Sequence, residues 1–91
     1  MAIKISRTGI GTVDHPFAIR DSYGSGLLPV QVDGDGATAF RILGRVESDA
    51  PWVEIRAQAT ADFLEAISWV PFLRLEVVSG TGTVTLWVGE Q

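Results

Sequence analysis

Phe72-Leu-Arg-Leu-Glu-Val-Val78, the short link Ser79-Gly-Thr-Gly82 and Thr83-Val-Thr-Leu-Trp-Val88 form the stretch that decides the fold. Leu73, Leu75 and Val77 alternate with Phe72, Arg74, Glu76 and Val78, and Val84, Leu86 and Val88 alternate with Thr83, Thr85 and Trp87. Period-2 alternation in two runs rich in Val, Leu, Thr and aromatics is the pattern of half-buried antiparallel strands. The glycines of the link supply the backbone freedom of a tight return, so the two runs read as a hairpin. With Val78 facing Thr83, Leu73 meets Val88, Leu75 meets Leu86 and Val77 meets Val84 on an apolar face. Arg74 then lies across from Trp87, and Glu76 across from Thr85, on the outer face. A slip of one residue would turn every core side chain to water, which specifies the register strongly.

Working outward, Phe40, Ile42, Gly44 and Val46 share one face of a run whose other face carries Arg41, Leu43 and Arg45. Trp52 to Thr60 alternates again, with Val53, Ile55, Ala57 and Ala59 inward and Glu54, Arg56 and Gln58 outward, so these runs read as a second hairpin. Ala61 to Ile67 is the one stretch with helical propensity, and its shortness suits a segment that carries the chain across the molecule. Trp69-Val70-Pro71 leads into the last hairpin. Earlier, residues 2–6 and 9–13 read as short strands, the proline of Asp14-His15-Pro16 breaks the pattern, and 21–26 is a loop by composition. Leu27 to Val32 is a strand that Pro29 confines to an edge or a bulge, and Asp33-Gly-Asp-Gly36 is a turn. The expected fold is all-β, a small antiparallel β-sandwich or a jelly-roll-like barrel, in a single domain over 1–91. Residues 1–36 are its less regular segment: a flexible end, an edge segment, or an extended arm docked on a neighbouring subunit.

Composition narrows the function. The 91 residues are 46% hydrophobic and 20% charged, as in a folded globule rather than a disordered chain. A chain this size buries about two-thirds of its unfolded surface, which makes an adequate core. No apolar run approaches the ~20 residues of a membrane-spanning helix, and the start lacks the apolar core of a signal peptide. With no cysteine there is neither a disulfide framework nor a thiolate metal site. A net charge of −4, with Lys4 the single lysine, argues against nucleic acid as a partner, since a phosphate-backbone binder carries a basic stripe.

Motifs for chemistry are weak. His15, the single histidine, stands beside a proline with no nucleophile elbow anywhere in the chain; the glycines of Gly24-Ser25-Gly26 have the wrong spacing. Asp33-Gly-Asp-Gly36 opens like a calcium loop, but Gly44 occupies the twelfth position where a bidentate glutamate belongs, and Asp-Gly is a favoured turn. Glu54 and Glu76 alternate with Arg56 and Arg74, which makes solvated cross-strand charge pairs a simpler account than a hydrolytic carboxylate pair. No enzyme, metal or cofactor is expected. The aromatics say more: Trp87 on the outer face against Arg74, with Trp69 and Phe72 near it, has the composition of an interface hot spot. Trp52, beside a loop, is expected to close the core.

Residues 46–55, VESDAPWVEI, followed by residues 70–88, VPFLRLEVVSGTGTVTLWV, resemble small β-sandwich virion proteins of tailed bacteriophages. In those proteins a strand, an Asp-containing loop and a Trp precede a strand of the form aromatic-aliphatic-Arg, a Gly-Thr-Gly turn and a closing Thr/Val-rich strand. The resemblance spans residues 37–89. It implies a capsid decoration (cement) protein, or a head or tail accessory protein, made in the host cytoplasm and incorporated into the virion. Its partners would be the major capsid protein or another virion protein and further copies of itself, with Trp87, Arg74, Trp69 and Phe72 as contact residues. A carbohydrate-binding module that uses Trp52, Trp69 or Trp87 as a sugar-stacking platform is the alternative.

Overall fold

The computed structural model describes residues 3–16, 27–68 and 70–89. They form β1 (Ile3–Thr8), β2 (Gly11–Pro16), β3 (Leu27–Asp33), β4 (Ala39–Arg45), β5 (Val53–Ala59), β6 (Phe63–Ser68), β7 (Phe72–Ser79) and β8 (Thr83–Val88). Two four-stranded antiparallel sheets result, sheet A in the order β1-β8-β3-β6 and sheet B in the order β2-β7-β4-β5. Each strand of the first half pairs with its mirror in the second: β1 with β8, β2 with β7, β3 with β6 and β4 with β5. The chain is thus one long antiparallel ribbon, doubled back at the β4–β5 hairpin and rolled until β8 joins β3 and β7 joins β4. That is the strand order of an eight-stranded jelly roll.

This order corrects the hairpin expected at the C-terminus. β7 lies in sheet B and β8 in sheet A, so Ser79 to Gly82 links two sheets as an arch instead of closing a two-stranded ladder. The alternation still holds, because Leu73, Leu75 and Val77 and Val84, Leu86 and Val88 are all buried. They face one another across the core between the sheets rather than side by side on one sheet. Periodicity reports which side chains turn inward and is silent on whether the inward faces lie beside or opposite each other. The true neighbours of β8 are β1, with Ile5 opposite Leu86, and β3, with Val32 opposite Leu86.

The N-terminal strands are therefore integral. β1 and β2 form the outer strands on one side of the roll, so the described part of 1–36 is no free arm, and β2 runs through the Asp14-His15-Pro16 break as an edge strand. Pro29 is not confined to an edge either, for β3 is an interior strand. Its carbonyl accepts from Gly89 N at 2.9 Å, on the β8 side. In an antiparallel strand a residue's N–H and C=O point the same way, so the donor that proline lacks would face the Gly89 carbonyl, one residue beyond the end of β8, and the ladder gives up a single bond at its terminus. The helix-prone stretch Ala61 to Ile67 instead supplies most of edge strand β6 on β3, with Phe63 packed against the core and Ile67 buried in it. Six residues are too few to nucleate a helix in competition with a preformed sheet edge. The chain crosses between sheets on both sides of β6, at Thr60–Asp62 before it and again before β7.

The β4–β5 hairpin forms as expected, but its ladder shifts register between Phe40 and Ile42 and again between Ile42 and Leu43. Arg56, read as outward, therefore aligns with Ile42 and turns to the gap between the sheets, where it pairs with Glu65 of β6 at 3.1 Å and covers the Phe63 ring at 4.4 Å. Val53, read as inward, is 64% exposed.

A polar latch fastens the arch. Asp35 accepts hydrogen bonds from Ala37 N at 2.9 Å and Thr38 N at 2.7 Å, and from Thr38 Oγ1 at 3.0 Å. The buried Thr38 hydroxyl in turn accepts from Gly82 N at 3.0 Å. A Cβ on Gly82 would run into the Asp35 carboxylate and lie 2.7 Å from Thr38 Oγ1. Gly82→Ala is accordingly expected to lower stability by about 1–3 kcal/mol, the scale of a broken part-buried hydrogen bond. Gly34→Ala, whose Cβ would meet only a Val84 methyl at 3.7 Å, is the near-neutral control in urea denaturation.

Candidate functional site: the outer faces of the two sheets

Because β7 and β8 belong to different sheets, their outward residues look in opposite directions, across layers about 10 Å apart. The expected contact set is divided. Arg74 and Phe72 stand on the outer face of sheet B, Trp87 on that of sheet A, and Trp69 lies outside the described residues, as do segment 17–26 and the His15 side chain. Arg74 does not meet Trp87. Lys4 of β1 does, with Nζ 5.7 Å from the indole centroid.

The outer face of sheet B pairs most of its charges internally, Arg45 Nε being buried without a hydrogen-bond partner. Arg74 donates to both oxygens of Asp14, at 2.5 and 2.8 Å, and Arg41 bridges Glu76 at 2.5 Å and Glu54 at 3.2 Å. Trp52 does not close the core. It is half-buried on this face between the guanidinium groups of Arg45 and Arg74, each 4.2 Å from its ring, and Arg45 also covers Phe72 at 5.4 Å. Leu43 points outward in this row and is buried all the same. Glu54 and Glu76 thus belong to charge pairs, as their setting among arginines suggested, although their shared partner is Arg41.

Hydrogen bonding shifts two carboxyls. The Arg74 side chain holds Asp14 below the usual carboxylate range, and the N–H of Ala37, followed by Thr38, does the same for Asp35. A lowered folded-state pKa adds stability that is complete above the unfolded value near pH ~4 and is lost as pH falls through the folded value. Thermal melts of the parent chain should therefore decline steadily below about pH 4, while an Asp14→Asn/Asp35→Asn variant starts lower at neutral pH and declines less steeply.

Sheet A presents a different surface. Its central outward row runs Lys4, Trp87, Gln31 and Leu64 across four strands, with Pro29 beside Ala66 in the next row. Leu64 is 71% and Leu27 47% exposed. Trp87, Gln31 and Leu64 line a cleft of about 250 Å³ together with Asp33 and Asp62. Asp62 Oδ1 accepts from Gly34 N at 2.9 Å. No group of three histidine or carboxylate side chains suited to a cation occurs among the described residues, and the Asp33–Gly36 segment serves as a turn whose Asp35 spends both oxygens on the latch. Sequence reasoning placed Trp87 outside but did not bring Gln31, Asp33, Asp62 and Leu64 to it. Asp62 and Leu64 fall in the stretch whose composition suggests a helical turn, and the adjacency of β8, β3 and β6 is not written in any one strand. A second cleft, about 340 Å³ and mostly apolar, opens at the β4–β5 tip beside Val46, Pro51, Val53 and Val70.

Fold and surface together define a small jelly-roll sandwich with one charged face, whose arginines also cover Trp52 and Phe72, and one sparsely charged face around Trp87. In comparisons with known proteins the chain matches no family model, no curated protein and no solved structure.

Proposed function

We propose that this chain is a bacteriophage virion structural protein, a capsid decoration (cement) protein that docks through the outer face of sheet A and works by binding, not catalysis. The phage assignment comes from the resemblance of residues 37–89 described above. The observation that carries the docking role is the contrast between the two faces: sheet B pairs its arginines and carboxylates internally, whereas sheet A leaves a half-buried Trp87 amid exposed Leu64, Leu27 and Gln31. A face of four strands, each about six residues long, spans roughly 400 Å² in projection, about half of what each side of a standard stable interface buries. Single contacts of that size are weak. Copies repeated by the symmetry of a shell make them effectively permanent through avidity, which is the physical basis proposed for stabilising the head.

Protein quantification of gradient-purified particles tests this reading. The expected result is a high copy number in fixed ratio to the major capsid protein; a few copies would move the chain to the tail or the head–tail junction, and absence would end the virion reading. Trp87→Ala should cut occupancy on particles by at least tenfold, about 1.4 kcal/mol per site, while its melting temperature stays close to the parent's. An unfolded variant would instead place Trp87 in the core.

One observation favours a second reading, a carbohydrate-binding module. The Trp87 cleft sets an indole beside Gln31, Asp33 and Asp62, polar groups able to bind sugar hydroxyls. That reading predicts sugar-dependent quenching of tryptophan fluorescence in a monomer.

A further inference from the structure

The cleft beside Trp87 holds two of the three parts of an arginine site, and this chain builds the complete arrangement on its other face. There Arg74 lays its guanidinium over Trp52 at 4.2 Å while Asp14 takes its N–H groups in a two-pronged hydrogen bond. In the sheet A cleft, Trp87 supplies the aromatic surface and Asp33 and Asp62 the carboxylates, with no guanidinium beside them among the described residues. The carboxylates of Asp14, Glu54, Glu65 and Glu76 each meet an arginine of this chain. Among the described residues the Asp33 side chain has no hydrogen bond or ion pair, and Asp62 uses only Oδ1, on a backbone N–H. Lys4, the one cation near Trp87 among the described residues, comes from β1, on the far side of β8 from the cleft.

We propose that this cleft receives an arginine side chain of another protein, its guanidinium stacked on Trp87 and hydrogen-bonded by Asp33 and Asp62. Arginine is favoured over lysine because a planar fork stacks on the indole and meets carboxylates in its own plane, whereas an ammonium is a hydrated point charge. On its described residues, a second copy of this chain is the poorer donor. Among the described residues each arginine is already engaged: Arg7 with the carbonyls of Gly9 and Ile10, Arg45 with Trp52 and the Ala50 carbonyl, and Arg41, Arg56 and Arg74 with carboxylates. The inference deepens the docking role by naming the chemistry of the partner, and it rests on that role only in taking the partner to be a protein.

The test uses the full chain, ¹⁵N-labelled, titrated with the peptide acetyl-Gly-Arg-Gly-amide and followed at the Trp87 indole N–H and the amides of residues 31–33 and 62–64. Saturable shifts with a dissociation constant on the order of millimolar are expected for one exposed side chain. The citrulline peptide, which keeps the shape and loses the charge, should bind roughly tenfold more weakly. Asp33→Asn, at a position with no internal bond to lose, should weaken the arginine peptide by a similar factor and leave the Trp52 indole signal unmoved. Absence of shifts, an equal response to citrulline, indifference to Asp33→Asn, or a response to methyl glucoside alone would each overturn the proposal, the last in favour of a sugar site. Failure here combined with loss of Trp87→Ala from particles would leave the docking role standing. Arginine binding by a chain absent from particles would do the reverse.

Discussion

A Ser6→Cys/Thr85→Cys variant should form a disulfide readily on oxidation and gain about 4 kcal/mol, the chain-entropy value for closing a loop of roughly 80 residues. Ser6 and Thr85 are direct cross-strand partners of β1 and β8 on the outer face of sheet A. Directly opposed antiparallel residues have Cα atoms about 4.5–5.5 Å apart, inside the window a disulfide spans. The informative companion is Glu76→Cys/Thr85→Cys. A β7–β8 hairpin would set those two positions opposite each other, whereas in the jelly roll they point to opposite exteriors and cannot be joined without unfolding. Mass spectrometry of the oxidised proteins, with urea denaturation of each, reads both results. A disulfide in the second pair and none in the first would overturn the strand order.

Leu86→Ala should cost about 2–5 kcal/mol, the range for emptying a buried leucine site. Leu86 has no exposed surface and lies between Ile5 of β1 and Val32 of β3 in the core cluster. For a domain whose total stability is of order 5–15 kcal/mol, such a loss takes a large share of the whole, and the melting temperature should fall by more than about 10 °C. Leu64→Ala removes the same atoms from a leucine that is 71% exposed, so its stability should stay within about 0.5 kcal/mol of the parent. The difference between two identical substitutions measures burial directly. Leu64→Ala also removes part of the proposed docking surface, so stable protein with weakened particle binding is its expected phenotype.

The candidate site was half legible in advance. Trp87 reads as outward from its phase with Val84, Leu86 and Val88, and it is only half-buried. Its neighbours were misassigned because Arg74 is close in sequence and a short glycine-rich link suggests a ladder. An arch and a hairpin need similar turn residues, and Gly80, with φ at +102°, would serve either. Arg56 was misplaced for a subtler reason. A register shift in the β4–β5 ladder reverses the inward–outward count, and nothing in the residues 53–59 marks it. Trp52 went to an outer face because two arginines on separate strands, Arg45 and Arg74, converge to hold it, a condition that exists only once β4 and β7 are adjacent.

By itself the sequence determined the class of this protein: an all-β chain whose inward residues along β4, β7 and β8 are buried. Alternation is a local property, written in the side chains and independent of what lies alongside. Tertiary structure alone decided which strands are neighbours, that the N-terminal strands complete both sheets, and that Trp87 shares a cleft with Asp33 and Asp62. Pairings such as Ile3 with Val88 join opposite ends of the chain, and the many possible ladders between apolar-alternating strands are nearly equal in local energy. What separates them is the burial of both inner faces at once, a property of the closed roll that no single strand carries.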